Sequence, residues 1–460
     1  MLGCELLLAL GDAQTRAGDT PAAKQAFLLA AELARRTRQT GGVMARAALG
    51  YGGRFLFNVS RDDPRLRPLL EEALAALGDG DSELRAMLLA RLAGGPLRDE
   101  PSRERRALMS EQAVDMARRL GDPALLGYVL DGRFLAICAA DTVEERLAIG
   151  AEMVQLSEAT GDFERLFQGH MYRTWTLLQL GDLVAVQAQI GIASRIADDL
   201  RQPAQLWMVA ATRTLCALLE GRFEQAGELM EEAFRLGERA IPWNAAVTRH
   251  LQLFALQREQ GRLDELEETV RCAVQGYPTY PVWRCVLADL YIQLGCQDAA
   301  RAEFERFAAG DFTGLPFNEE WLLGMTLLAD VCAALGDVPR ANRLYEVLVP
   351  YRELHAVVLP EISFGAVARA LGKLAATAGR FEQATRHFEA AIQLNEQSGA
   401  RPWTAHARHD YARMLAARGD RQQAHRQLAQ ALATYRELGM DRWADSTLSR
   451  DGSTLPTGAP

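Results

Sequence analysis

The chain has 460 residues, of which 49 % are hydrophobic and 24 % charged, and a formal charge of −9. That composition belongs to a folded protein able to bury a sizeable core, and its acidic balance argues against a nucleic-acid or anionic-membrane binder. Seven cysteines without a C-x-x-C pair suggest no disulfide framework, and no apolar run approaches the roughly 20 residues of a membrane span, so the expected setting is the cytoplasm.

The first unit opens the chain. Leu10-Gly11 is followed by a turn at Gly18-Asp19, then by Ala23, Phe27 and Ala30. These last three are spaced four and then three apart, so they share one helical face, and Gly18 is the expected stop of the preceding helix because glycine takes a left-handed cap without steric cost. From 41 to 100 the pattern is less regular, broken by Gly50, Gly52, Gly53, Gly78, Gly80, Gly94 and Gly95. The rhythm returns after Ser102: Met109, Ala113, Met116 and Leu120 make one apolar stripe ahead of the stop Gly121-Asp122-Pro123. Further Gly-Asp stops stand at Gly161 and Gly181.

From there the turn glycines are Gly181, Gly221, Gly261, Gly295, Gly336, Gly379 and Gly419, at spacings of 40, 40, 34, 41, 43 and 40. A helix-turn-helix unit of about forty residues therefore repeats along the chain. Several first helices begin with Pro followed by Trp (Pro203 and Trp207, Pro242 and Trp243, Pro281 and Trp283, Pro316 and Trp321, Pro402 and Trp403). Proline suits a first helical turn, where its missing N–H would be unpaired anyway, and the tryptophans are expected to wedge between neighbouring pairs. The last two units are the clearest: Gly379, Ala384, Phe388 and Ala391, then Gly419, Ala424, Leu428 and Ala431. No stretch alternates as a strand would, so essentially no sheet is expected. Leu10-Gly11 followed by Ala23, Phe27 and Ala30 resembles the tetratricopeptide pattern, and the fold this resemblance implies is all-α, a right-handed tetratricopeptide-like superhelical solenoid of about eleven helix pairs over 1–440, with a disordered tail over 441–460 rich in Ser, Thr, Gly and Pro.

Chemistry leaves few traces. There is no G-x-x-x-x-G-K-[ST] loop, and Gly372-Lys373 falls inside a predicted helix, where it cannot cradle phosphates. His406 and His409 share a helix face beside Asp410, but a metal site would need a third ligand at a defined spacing; no catalytic residue, metal or cofactor is expected. In tetratricopeptide arrays the first helix of each pair lines the concave surface. Counting back from the turn glycines places Arg369, Lys373, His406, His409 and Arg413 toward that groove at one end, with Asp289 and Asp330 in the middle. The expectation is a groove basic at one end and acidic in the middle, set against the plainer reading that solvent-facing helix positions carry charges anyway.

Beyond the single unit, Arg46-Ala47-Ala48-Leu49-Gly50, Ala117-Arg118-Arg119-Leu120-Gly121-Asp122-Pro123, Leu219-Glu220-Gly221-Arg222-Phe223 and Gly399-Ala400-Arg401-Pro402-Trp403 with Tyr411-Ala412-Arg413 resemble one group. It is the tetratricopeptide-like C-terminal region of bacterial signal-transduction ATPases, which include MalT-like and LuxR-type transcriptional regulators and cyclase-associated ATPases. The resemblance implies a non-enzymatic interaction and sensing arm whose partners are an ATPase module encoded upstream, another protein or peptide, or a small-molecule inducer. The phosphate loop, the DNA-binding helix-turn-helix and the cyclase of that group have no counterpart in these residues. The alternatives kept open are a stand-alone adaptor binding a peptide or protein in its groove, and a small-molecule receptor.

Overall fold

A computed structural model describes residues 2–17, 19–37, 41–53, 63–95, 102–263 and 265–445. The protein is an all-α, tetratricopeptide-like solenoid. Among the described residues are 22 α-helices, from α1 (Leu2–Arg16) and α2 (Thr20–Arg36) to α21 (Arg401–Arg418) and α22 (Arg421–Glu437), which take up the eleven expected pairs.

Sharp corners come from a two-residue device. Gly121, Gly161, Gly181, Gly336 and Gly419 all have positive φ. The aspartate after each caps the next helix, as Asp162 accepts from the Arg165 N–H at 3.0 Å and Asp420 from the Gln423 N–H at 3.1 Å. The glycine satisfies one helix end and the aspartate the next, so the chain reverses with almost no linker. Gly18 lies outside the described residues.

Within pairs, a small residue on the first helix receives a large one from the second. A Cβ on Gly11 would come within 2.7 Å of the Phe27 ring, and one on Gly372 within 2.8 Å of Phe388. Both partners lie sixteen residues on. The same offset separates the buried pairs Thr174 and Ile190, Thr214 and Met230, and Ala288 and Phe304. Of the expected wedge tryptophans, Trp207, Trp283, Trp321 and Trp403 are buried and Trp243 is half-buried, which is the packing role.

Three apolar clusters run along the array. One joins α1 to α5 (Glu83–Gly94), one continues to about α13 (Pro242–Gln260), and the largest fills the C-terminal half. At the first junction α5 meets α7 (Pro123–Ala136) backbone to backbone, since a Cβ on Gly94 would lie 2.6 Å from the Gly132 carbonyl oxygen.

Two features depart from expectation. A two-stranded antiparallel hairpin, β1 (His355–Val358) and β2 (Ile362–Ala366), interrupts the helices after α18 (Val338–Leu348). Val358 pairs with Ile362, Val357 with Ser363 and His355 with Ala366, around a turn containing a cis Leu359–Pro360 peptide. Every residue of both strands is buried. Ala356, Val358, Ile362 and Phe364 join the C-terminal cluster, while Val357 and Leu359 join the middle one. Both faces are covered, so the polar alternation of a half-exposed strand is missing. The second departure is the tail. Residues 441–445 form a further helical turn, with Met440 and Ala444 buried, so order extends past 440, and 446–460 lie outside the described residues.

Candidate functional site

The seven groove residues occupy the first helices of their pairs, as counted. Asp289 is on α15 (Val282–Gln293), Asp330 on α17 (Trp321–Leu335), Arg369 and Lys373 on α19 (Val367–Thr377), and His406, His409 and Arg413 on α21. They do not line an open groove. Asp289, Asp330, Arg369 and His406 are each at most 8 % exposed, Lys373 and His409 are half-buried, and Arg413 is exposed.

What the structure builds from them is an internal ionic ladder. Arg369 donates through Nη1 to Asp330 at 2.9 Å, and its Nη2 lies 2.8 Å from Asp410; Lys373 Nζ donates to the other Asp330 oxygen at 2.6 Å. On α13, Arg258 reaches Glu259 and, at 3.4 Å, Asp289. His406 Nε2 then closes the ladder across the superhelix, 2.8 Å from Glu259 and 147 residues away in sequence. Because an ionised Glu259 can only accept, Nε2 carries the proton and Nδ1 accepts from the Tyr435 hydroxyl at 2.9 Å.

The electrostatics follow from burial and partners. Burial pushes the His406 imidazole below its ordinary value, keeping it neutral near pH 7. Burial would raise Glu259, but His406, once protonated in acid, and Arg258 overcome it and hold this carboxyl down to about 2. Asp289, desolvated and facing Asp330, is pushed up despite Arg258. Both ring nitrogens of His406 are engaged, and guanidinium, ammonium and imidazole groups link the carboxylates of α13, α15, α17 and α21. These pairs cross-link first helices that are far apart in sequence.

Aromatic rings and the hairpin fill the remaining space. The Arg258 guanidinium sits 5.0 Å from the Phe364 ring, 5.4 Å from Trp403 and 5.2 Å from Trp443. Trp443 donates to the Arg258 carbonyl at 3.3 Å, and Arg442 donates to the carbonyls of Gly261 and Gln293. At the hairpin tip, Gln252 donates to the Ala211 carbonyl at 2.9 Å and reaches the Pro360 carbonyl at 3.4 Å, and Thr248 donates to Glu361. His355 packs on Gly181, where a Cβ would lie 2.6 Å from its Nε2.

Sequence reasoning missed Arg258, Glu259, Phe364, Tyr435 and Trp443. Arg258 had one usable signal, for it stands three residues before the turn Gly261, on the face that carries Asp289 and Asp330 farther along.

Residues 364–437 match the tetratricopeptide repeat family model. No curated protein matches the chain. Among solved structures, the crystal structure of the APC/C hetero-tetramer Cut9–Hcn1 is 14 % identical, with 94 % of this chain and 87 % of that one covered and a TM-score of 0.38. A circular tandem repeat protein with novel repeat topology and enhanced subunit contact surfaces is 15 % identical, with coverages of 97 % and 94 % and a TM-score of 0.15. The family match gives the chain a tetratricopeptide-like region at 364–437, and among the described residues no helix is long and apolar enough to cross a membrane.

Proposed function

We propose that the protein is a stand-alone adaptor, a non-enzymatic scaffold that binds a protein or peptide partner. The observation that carries this reading is the tetratricopeptide match at 364–437, set in a run of helix pairs built on the same small-to-large packing rule from Gly11 and Phe27 to Gly372 and Phe388. Repeat solenoids of this kind present extended surfaces rather than a catalytic pocket. The filled concave face limits how the adaptor works: a partner engages the remaining surface, since threading the groove would require extracting a fully buried hairpin. Mass spectrometry of proteins co-purifying with the tagged full chain, followed by thermal denaturation with each candidate, tests the reading. A partner that raises the melting temperature supports it. Purification without any partner, together with stabilisation by small metabolites only, refutes it in favour of a receptor.

The repeat phrases from Arg46 to Arg413 favour a second reading, a regulatory arm answering to an ATPase module or an inducer. It predicts that the specific co-purifying protein is a nucleoside triphosphatase and that binding changes that protein's turnover.

A further inference from the structure

We propose that the cleft between α4 (Leu66–Leu77), α5 and α6 (Arg103–Leu120) is a docking site for a peptide segment with an acidic side chain beside a large apolar one. The proposal rests on the scaffold reading and assigns it a place. On the filled side of the molecule the array satisfies its own charges. Here, among the described residues, a cavity of about 540 Å³ opens between three helices. That volume lies in the ordinary range for ligand sites.

The lining has two parts. Leu74, Leu92 and Met109, one from each helix, form an apolar floor. At the mouth each helix supplies one guanidinium: Arg67, Arg85 and Arg105. Among the described lining residues stand two carboxylates, Glu71 and Asp79. Glu71 is committed to Arg67 Nε at 2.9 Å. Asp79 holds Arg85 only at 3.4 Å, with its own side chain wholly in water.

Arg85 is the best-positioned of the three. Its side chain is 18 % exposed, and one terminal nitrogen donates to the Gly78 carbonyl, which fixes the guanidinium before a ligand arrives. A peptide carboxylate can displace the weakly held Asp79 and take an edge of the Arg85 guanidinium with two parallel hydrogen bonds. Arg105 is exposed and stands where a second acidic group would reach it. The floor requires an apolar neighbour, which a free phosphate or a nucleic-acid backbone does not carry, and the −9 formal charge of the chain further disfavours polyanions.

The test is selection from a random-peptide display library on the immobilised full-length protein, followed by fluorescence anisotropy with the enriched peptides. Asp or Glu next to Leu, Met or Phe should be enriched. Arg85→Glu and Arg105→Glu should each weaken binding by about fivefold, the size of a partly exposed charge contact. Both positions face the cleft mouth, and Arg105→Gln, which removes charge without reversing it, should give an intermediate loss while unchanged helical circular dichroism shows the fold kept. Binding that survives both reversals, or enriched peptides without acidic residues, overturns this site and leaves the scaffold reading standing. Failure to enrich any peptide while a native protein still co-purifies overturns the peptide site alone; failure of both overturns the scaffold reading too. Succinate competing as well as the best peptide would reassign the cleft to small dicarboxylates.

Discussion

The two ends of the array obey the same repeat rule and are held together differently. From α1 to α5, the described residues pack unit against neighbouring unit around a core of small residues and leucines. The outer face of α1 carries Leu2, Leu6 and Leu10 at 75 %, 60 % and 48 % exposure. From α13 to α22, units also touch through the middle, by the hairpin, the ladder and the turn at 441–445. Nearest-neighbour stacking makes a solenoid, and non-local contacts decide whether it has an interior. Amides of α1–α4 should therefore exchange with solvent well before those of α13–α21 in native-state hydrogen exchange; equal protection would erase the distinction.

The largest expected effect lies in the ladder. Arg369→Ala leaves Asp330 and Asp410 buried without their shared cation and should cost about 3–5 kcal/mol in urea unfolding, with the loss confined to the C-terminal half. Its readout is the exchange map, where α1–α4 should be unmoved.

Next comes acid sensitivity. His355 is fully buried, and that burial alone pushes its imidazole down to about 4. The unfolded chain, with an ordinary histidine, therefore takes up the proton first as pH falls. Stability contributed by the neutral ring is complete above about pH 6.5 and is lost toward pH 4. Between pH 7 and pH 5 this group alone should remove on the order of 2 kcal/mol. His355→Leu should flatten that slope; an unchanged slope would place the titration in other groups, such as His409, which burial also lowers to about 4.

A smaller effect tests the helix contact ahead of the filled half. Gly132→Ala drives a methyl to within 2.6 Å of the Ala90 carbonyl oxygen, and should cost about 1–3 kcal/mol by thermal unfolding. Smallest of all, Leu6→Gln with Leu10→Gln should change stability by less than about 0.5 kcal/mol, because these side chains already lie in water.

Much of this architecture was legible because it is local. Turn glycines, their aspartate caps and the Ala-Phe-Ala face recur at fixed offsets, and the helix pairs follow. The charged positions were placed on the right helices for the same reason. Their burial was not legible, since the Glu259–His406 contact spans 147 residues and depends on how far each pair rotates on the last. The hairpin escaped for a different reason. In His355-Ala356-Val357-Val358-Leu359-Pro360-Glu361-Ile362-Ser363-Phe364, apolar side chains serve two clusters at once, so no strand period shows. Within 41–100 the described residues hold three short helices, α3 (Gly41–Tyr51), α4 and α5, and the cleft opens between the last two and α6.

A stack of helix pairs with an empty bore behaves as a spring, stretched or twisted by small rotations at every joint. The hairpin between α18 and α19 removes that compliance, because its two faces are packed into different cores and any rotation of the turns around it must shear both. The C-terminal half is thus a stiff post. Whatever it joins is held at a set distance and angle, and bending is left to the first few turns.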